Sequence, residues 1–240
     1  MTGFIEAGEL TKVRAHFEVD AMSRAAAELL FFEGEWELAG NRLTARSEQW
    51  RKMGSRQEEL RVVTDLARAH RFAGDRARAV QVLQRMLEIP VEGGDILNEL
   101  FARSSLATMA ANVGDVGEAV PHLERCRQII GAGENWLGLA GSVERAEAVV
   151  AAAQAEYALA ETQFEKAIAN FQHYCLPWEE ADTLQYWGRA LLAAGERARA
   201  IEKFDTAIEI YRSHGAGEPF VEYVMADKIR AQNSKSSMPQ

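Results

Sequence analysis

WEEADTLQYWGRALLAAGERARAIEKFDTAIEIYRSHGA, residues 178–216, contains two amphipathic segments hinged on one glycine. In the first, Ala181, Leu184, Trp187, Gly188 and Leu191 fall on one helical face; in the second, Ala200, Phe204, Ala207 and Ile208 do the same. That is the spacing of helices with a single apolar stripe. Gly195 between them can adopt the left-handed backbone that ends one helix before the next begins. Neither helix can bury its stripe alone, so the pair requires neighbours.

The neighbours lie upstream. GERARA (195–200) has counterparts in GDVGEA (114–119), GDRARA (74–79) and GEWELA (34–39), with a weaker one, AEYALA, at 155–160. Their last alanines, Ala39, Ala79, Ala119, Ala160 and Ala200, are spaced 40, 40, 41 and 40 residues apart. Four residues beyond each comes a large apolar side chain: Leu43, Leu83, Leu123, Phe164 and Phe204. A fixed period of this length predicts an array of helical hairpins. The alanines are small because two helices cross there closely, and Gly188 carries this furthest, leaving bare backbone for Phe204 or Tyr211.

Each unit resembles a tetratricopeptide repeat (TPR). The fifth fits best, with Leu184, Trp187, Gly188, Leu191, Gly195, Ala200, Phe204 and Ala207 on the landmark places. Units two and three keep the glycine, the alanine and a small residue in helix A (Ala67, Ala107). Unit one has Arg46 where a small residue is usual. In unit four Glu144 and Glu147 fall on apolar places of helix A; the letters leave that register open by one residue. The usual TPR period is about 34. A period of 40 is similar to that of the C-terminal repeats of LuxR-type regulators and cyclase-linked ATPases, and the ending IYRSHGAGEPFVEYVMADKI (210–229) resembles theirs in particular. The resemblance implies an all-α, right-handed α-solenoid of about five TPR-like hairpins plus a C-terminal capping helix.

The expected division is 1–17 as a leading helix or remnant of a preceding repeat, 18–217 as five repeats, 218–231 as the capping helix, and 232–240 as a polar, disordered tail. Pro90 closes unit two, Asp95 is an expected N-cap, Pro121 falls near the start of a B helix, and LPW (176–178) opens unit five. A formal charge of −9 and a pI of 5.2 argue against nucleic acid as a partner, which calls for a basic footprint. No apolar run reaches the roughly 18 residues needed to cross a bilayer, and MTGFIEAGEL lacks the basic start and apolar core of a secretory signal. Two cysteines, Cys126 and Cys175, argue against a disulfide framework and fit a cytoplasmic setting.

No chemistry of catalysis is legible. GAGENWLG (131–138) lacks phosphate-loop spacing, and the five histidines are scattered over separate units. His122 with Cys126, and His173 with Cys175, fall short of the three or four ligands of a zinc site. No catalytic residue, metal or cofactor is expected. Trp36, Trp136, Trp178 and Trp187 read as packing residues, and Glu179 with Glu180 as acids favoured at a helix start.

The resemblance implies a concave surface lined by helix A. Carried onto this sequence, its candidate partner-binding residues are Arg24 in unit one; Arg61, Arg68, Arg71 and Phe72 in unit two; Phe101 and Asn112 in unit three; Arg145 in unit four; and Gln185 and Arg189 in unit five. Six arginines against Glu28 and Asp182 give that face a surplus of four positive charges. Guanidinium forks suit carboxylate or phosphate, although the same arginines could pair with acids on adjacent helices. The expected function is therefore a scaffold that grips a protein or peptide segment, an acidic one suiting the arginines. The alternative, implied by resemblance alone, is a ligand-sensing regulatory domain of a bacterial signalling ATPase, cyclase or transcription regulator. Homo-oligomers could form through end faces left bare at Leu10, Val13 and Phe17.

Overall fold

The computed structural model describes residues 24–89, 95–131, 136 and 138–233, which contain eleven α-helices and no strand. They are α1 (Arg24–Glu33), α2 (Trp36–Lys52), α3 (Arg56–Phe72), α4 (Arg76–Glu88), α5 (Ile96–Ala111), α6 (Val116–Ile130), α7 (Leu139–Ala153), α8 (Tyr157–His173), α9 (Pro177–Ala193), α10 (Arg197–Ser213) and α11 (Glu218–Asn233). Odd-numbered helices are the A members of the hairpins and even-numbered ones the B members. Each B helix packs between the A helix before it and the one after it, which makes the fold an α-solenoid. The expected leading segment 1–17, Pro90 and the tail beyond Asn233 lie outside the described residues, as do Leu10, Val13 and Phe17.

The five landmark alanines are equivalent in space. Each is the fourth residue of its B helix, and its N–H donates to the carbonyl of the residue just before that helix, at 2.9–3.2 Å. All five are at most 2 % exposed, and the large side chains four residues on are at most 1 % exposed. Gly188 faces Phe204: a β-carbon there would sit 2.8 Å from the ring's Cδ1 and Cζ. Phe204 is fully buried.

Turn chemistry repeats with the same regularity. Gly34, Gly74, Gly114 and Gly195 join A to B helices with φ between 78° and 89°. Ala155 holds the corresponding place in unit four at φ 61°, a conformation an L-residue adopts at a cost. Asp75, Asp95 and Asp115 cap α4, α5 and α6, their carboxylates accepting the N–H groups of Arg78, Asn98 and Glu118 at 3.0–3.1 Å. Pro121 sits one turn deeper than the sequence suggests, as the sixth residue of α6, so the helix forgoes one internal bond there.

Ala155 also fixes the register of α7, because α7 stops two residues before Ala155 just as α9 stops two before Gly195. Glu144 and Glu147 therefore do occupy places equivalent to Leu184 and Trp187. Glu147 is accommodated by Arg127 at 2.7 Å and Gln163 at 2.9 Å. Glu144 is half-buried with one carboxylate oxygen unpartnered, and burial pushes its pKa up.

α11 covers more than the last repeat. It packs on α10, but Phe220 at its start reaches the first repeat. Its ring centroid lies 5.6 Å from Phe31, 5.0 Å from Trp36, Phe72 and Trp178, and 5.2 Å from Tyr211. The N–H of Gly217 donates to the carbonyl of Phe32 at 2.9 Å. The array curls until its last turn rests on its first.

Two substitutions test this packing. Ala155→Gly should stabilise the protein by about 0.5–1 kcal/mol in urea unfolding, the relief of left-handed strain outweighing the added chain entropy. Gly188→Ala should cost about 1–3 kcal/mol by overpacking against Phe204; a melting curve unchanged by that methyl would show the crossing to be looser than described.

Candidate functional site

The inward faces of the A helices form the candidate site. Arg68 and Arg71 stand one turn apart on α3, and Glu179 and Asp182 one turn apart on α9. Arg68 meets Glu179 at 3.2 Å and Arg71 meets Asp182 at 3.0 Å. Arg145 of α7 joins both acids, at 2.8 Å from Glu179 and 3.2 Å from Asp182. Each guanidinium also lies over an aromatic ring: Arg68 over Phe31, Arg71 over Phe72 and Arg145 over Phe171, at 5.3, 4.2 and 5.5 Å from the centroids.

A second cluster continues along α9 to α11. Asp227, 4 % exposed, accepts from Arg189 Nε and Gln185 Nε2, both at 2.7 Å, and pairs with Arg230 at 2.9 Å. Gln185 Nε2 also lies 3.4 Å from the carbonyl of Tyr223. Arg189 sits over the rings of Tyr186 and Tyr223.

The electrostatics follow from this mutual burial. Burial works against the charged form of Glu179, yet the charges of Arg145, Arg68 and Arg71 and a hydrogen bond from Arg145 outweigh it and hold the carboxyl at about 2. For Arg145, burial is again opposed and outweighed, by Glu179 and Asp182, and its pKa rises. Arg71 rises well above its ordinary value in the same way, Asp182 overcoming burial.

Of the residues named from the sequence, Arg68, Arg71 and Arg145 meet in the first cluster and Gln185 and Arg189 in the second. Arg24 stands apart, paired with Asp65 at 2.6 Å and Glu28 at 2.8 Å. Arg61 is exposed and bonds Glu58 one turn back, at 2.9 Å. Asn112 is exposed at the end of α5. Phe72 is 5 % exposed, committed to the rings around Phe220. Phe101 is half-buried and faces a cavity.

The expected positive surplus is absent. Six carboxylates, on Glu28, Glu58, Asp65, Glu179, Asp182 and Asp227, pair with the six arginines. Read from the sequence, Glu179 answers only to the helix dipole and α11 has no inward role. One signal points further: the three-residue spacing of Arg68 and Arg71 matches that of Glu179 and Asp182.

Between the A helices a cavity of about 220 Å³ remains, walled by Phe32, Phe101, Phe171 and Trp178, with Thr64, Ser142, Arg68 and Glu179 contributing polar groups. No group of three metal-ligating side chains occurs among the described residues. Cys126 is buried, and burial pushes its thiol up to about 12, far from a reactive thiolate. No helix among the described residues is long and apolar enough to cross a membrane.

Residues 64–97, from the middle of α3 into the start of α5, match the family described as Tetratricopeptide repeat. The hairpin at the centre of unit two is TPR-like by sequence as well as by shape. Two solved structures of a putative kinesin light chain from Podosopora anserina, both with nearly identical TPR-like repeats, are similar to the chain. One shares 21 % identity over 80 % of this chain and 94 % of its own, with a TM-score of 0.48. The other, a point variant, shares 20 % over 90 % and 100 %, with a TM-score of 0.49. No curated protein sequence matches.

The cluster predicts an acid-linked loss of stability. Glu179 titrates lower folded than unfolded, so its contribution is present above its ordinary value near 4.5 and fades as pH falls towards 2. The shift is worth at most about 3 kcal/mol. Glu179→Gln should be less stable than the wild type near neutrality, and the gap should close as pH drops through that window in chemical denaturation. A gap independent of pH would show that Glu179 is not held ionised by the arginines.

Proposed function

We propose that the chain is a protein-binding scaffold whose inner face receives a segment of a partner. The observation that carries this reading is the run of TPR-like hairpins whose A helices share one inward surface, the unit at 64–97 matching the repeat family by sequence. Arginine forks on that surface suit carboxylates, and the chain's own Glu179 and Asp182 already supply them. An acidic partner segment would compete with these residues for Arg68, Arg71 and Arg145. The affinity would then be set by displacement rather than by an open positive groove, and would weaken with salt.

Glu179→Gln keeps the shape of the side chain while removing the acid paired with Arg68 and one of the two paired with Arg145. An acidic dodecapeptide should bind this variant about tenfold more tightly than the wild type, as loss of a charged competitor worth about 1.4 kcal/mol implies. The gain should fall as sodium chloride is raised. Equal binding to both proteins would put acidic partners elsewhere on the surface.

One observation favours a second reading, a ligand-sensing regulatory domain. The hydrogen bond from Gly217 to Phe32 and the rings around Phe220 join the first and last repeats. A ligand among the A helices would be felt at both ends of the array. The ATPase, cyclase or transcription regulator that such a domain would serve is an extension of the resemblance alone.

A further inference from the structure

The cavity between the A helices combines four features. Its volume, about 220 Å³, exceeds the roughly 150 Å³ that holds one benzene ring and falls short of the roughly 300 Å³ at which pockets for larger ligands begin. Its walls are aromatic, on Phe32, Phe101, Phe171 and Trp178, and such rings favour edge and offset contact with another ring. Ser142, which lines it, is 8 % exposed, and its hydroxyl bonds no described residue. Beside it the charge is unbalanced: Arg68, Arg71 and Arg145 share only two carboxylates, Glu179 and Asp182. The Nε of Arg145, one turn along α7 from Ser142, is buried with no partner.

The three-arginine cluster carries one positive charge more than its acids. A part-buried cation surplus beside an unpaired buried donor favours an anion nearby. A benzene ring alone would satisfy the walls and leave both the hydroxyl and the charge unanswered. A polyanion would exceed the single surplus charge.

We propose that this cavity is a binding site for a small aromatic monocarboxylate, of the size of benzoate or phenylacetate. The ring lies among Phe32, Phe101, Phe171 and Trp178. The carboxylate accepts from the Ser142 hydroxyl and competes with Glu179, which also lines the cavity, for Arg68. This site does not depend on the scaffold reading, since it requires no protein partner.

The test uses the full chain and three probes in calorimetry: phenylacetate, its neutral isostere phenylacetamide, and toluene. Phenylacetate should bind one to one and raise the melting temperature, with phenylacetamide about tenfold weaker for loss of one charge-assisted bond. Ser142→Ala, a small change that a helix accepts readily, should weaken phenylacetate several-fold and leave toluene unaffected. Arg68→Gln should abolish the preference for acid over amide. Ser142→Leu, which fills the cavity, should block all three probes, and its far-ultraviolet circular dichroism reports whether it has folded. Equal affinity for acid and amide would overturn the proposal, as would undiminished binding to folded Ser142→Leu. So would the absence of phenylacetate binding at millimolar concentration, or toluene binding without the acid.

Discussion

The interior depends on a contact between the two ends of the described chain. The N–H of Gly217 donates to the carbonyl of Phe32, and Phe220, three residues on, enters a group of rings drawn from both ends. A helical hairpin array does not need such a contact to fold, since each unit buries its stripe on its neighbours. Once made, the contact draws the two ends of the trough together. Arg68 and Arg71 of α3 then come within reach of Glu179 and Asp182 of α9, and the A helices surround a common interior.

Burial sets the energetics of the charged residues. Arginines on an open concave face would be solvated and free for a partner. Here Asp182 and Asp227 are 3 % and 4 % exposed, and their partners must offset the loss of water. Such pairs are weak evidence for stability in themselves, but removing one member leaves its partner charged and unmatched. The cluster therefore acts as a constraint on geometry: α3, α7 and α9 are held at the separations that satisfy it. The cavity is the space that those separations leave unfilled.

The fold was legible because its determinants are local and repeated. Ala39 through Ala200 recur at a fixed period, the turn glycines precede them at a fixed distance, and the apolar faces of the A and B helices can be read from spacing alone. Even Ala155, the one departure among the A-to-B turns, keeps its place in the pattern. The inward position of Arg68, Arg71, Arg145 and Arg189 followed from the tetratricopeptide resemblance, which puts helix A on the inner face. What those arginines face was not. Curvature accumulates from a small rotation at each repeat, and no short window of sequence records the sum. Glu179 and Asp182 therefore read as a helix start and a groove residue, though they are the counterions of another repeat. Phe220 likewise reads as part of a simple cap, because its contacts with Phe31, Trp36 and Phe72 lie in units remote from it in the chain. Glu144 and Glu147 leave the register of unit four open in the letters, since the partners of Glu147, Arg127 and Gln163, come from the helices on either side.

The closure can be tested with a single methyl group. Gly217 does not use the left-handed region, so alanine is permitted there by its own backbone, yet a β-carbon would overlap the carbonyl group of Glu33. That carbonyl is main chain and cannot rotate aside as a side chain would. The measurement is amide hydrogen exchange of the full chain with Gly217→Ala. If the ends are joined as described, protection falls in α1, in the opposite terminal repeat, together with the melting temperature. An unchanged melting temperature, or loss of protection confined to α10 and α11, would contradict the closure.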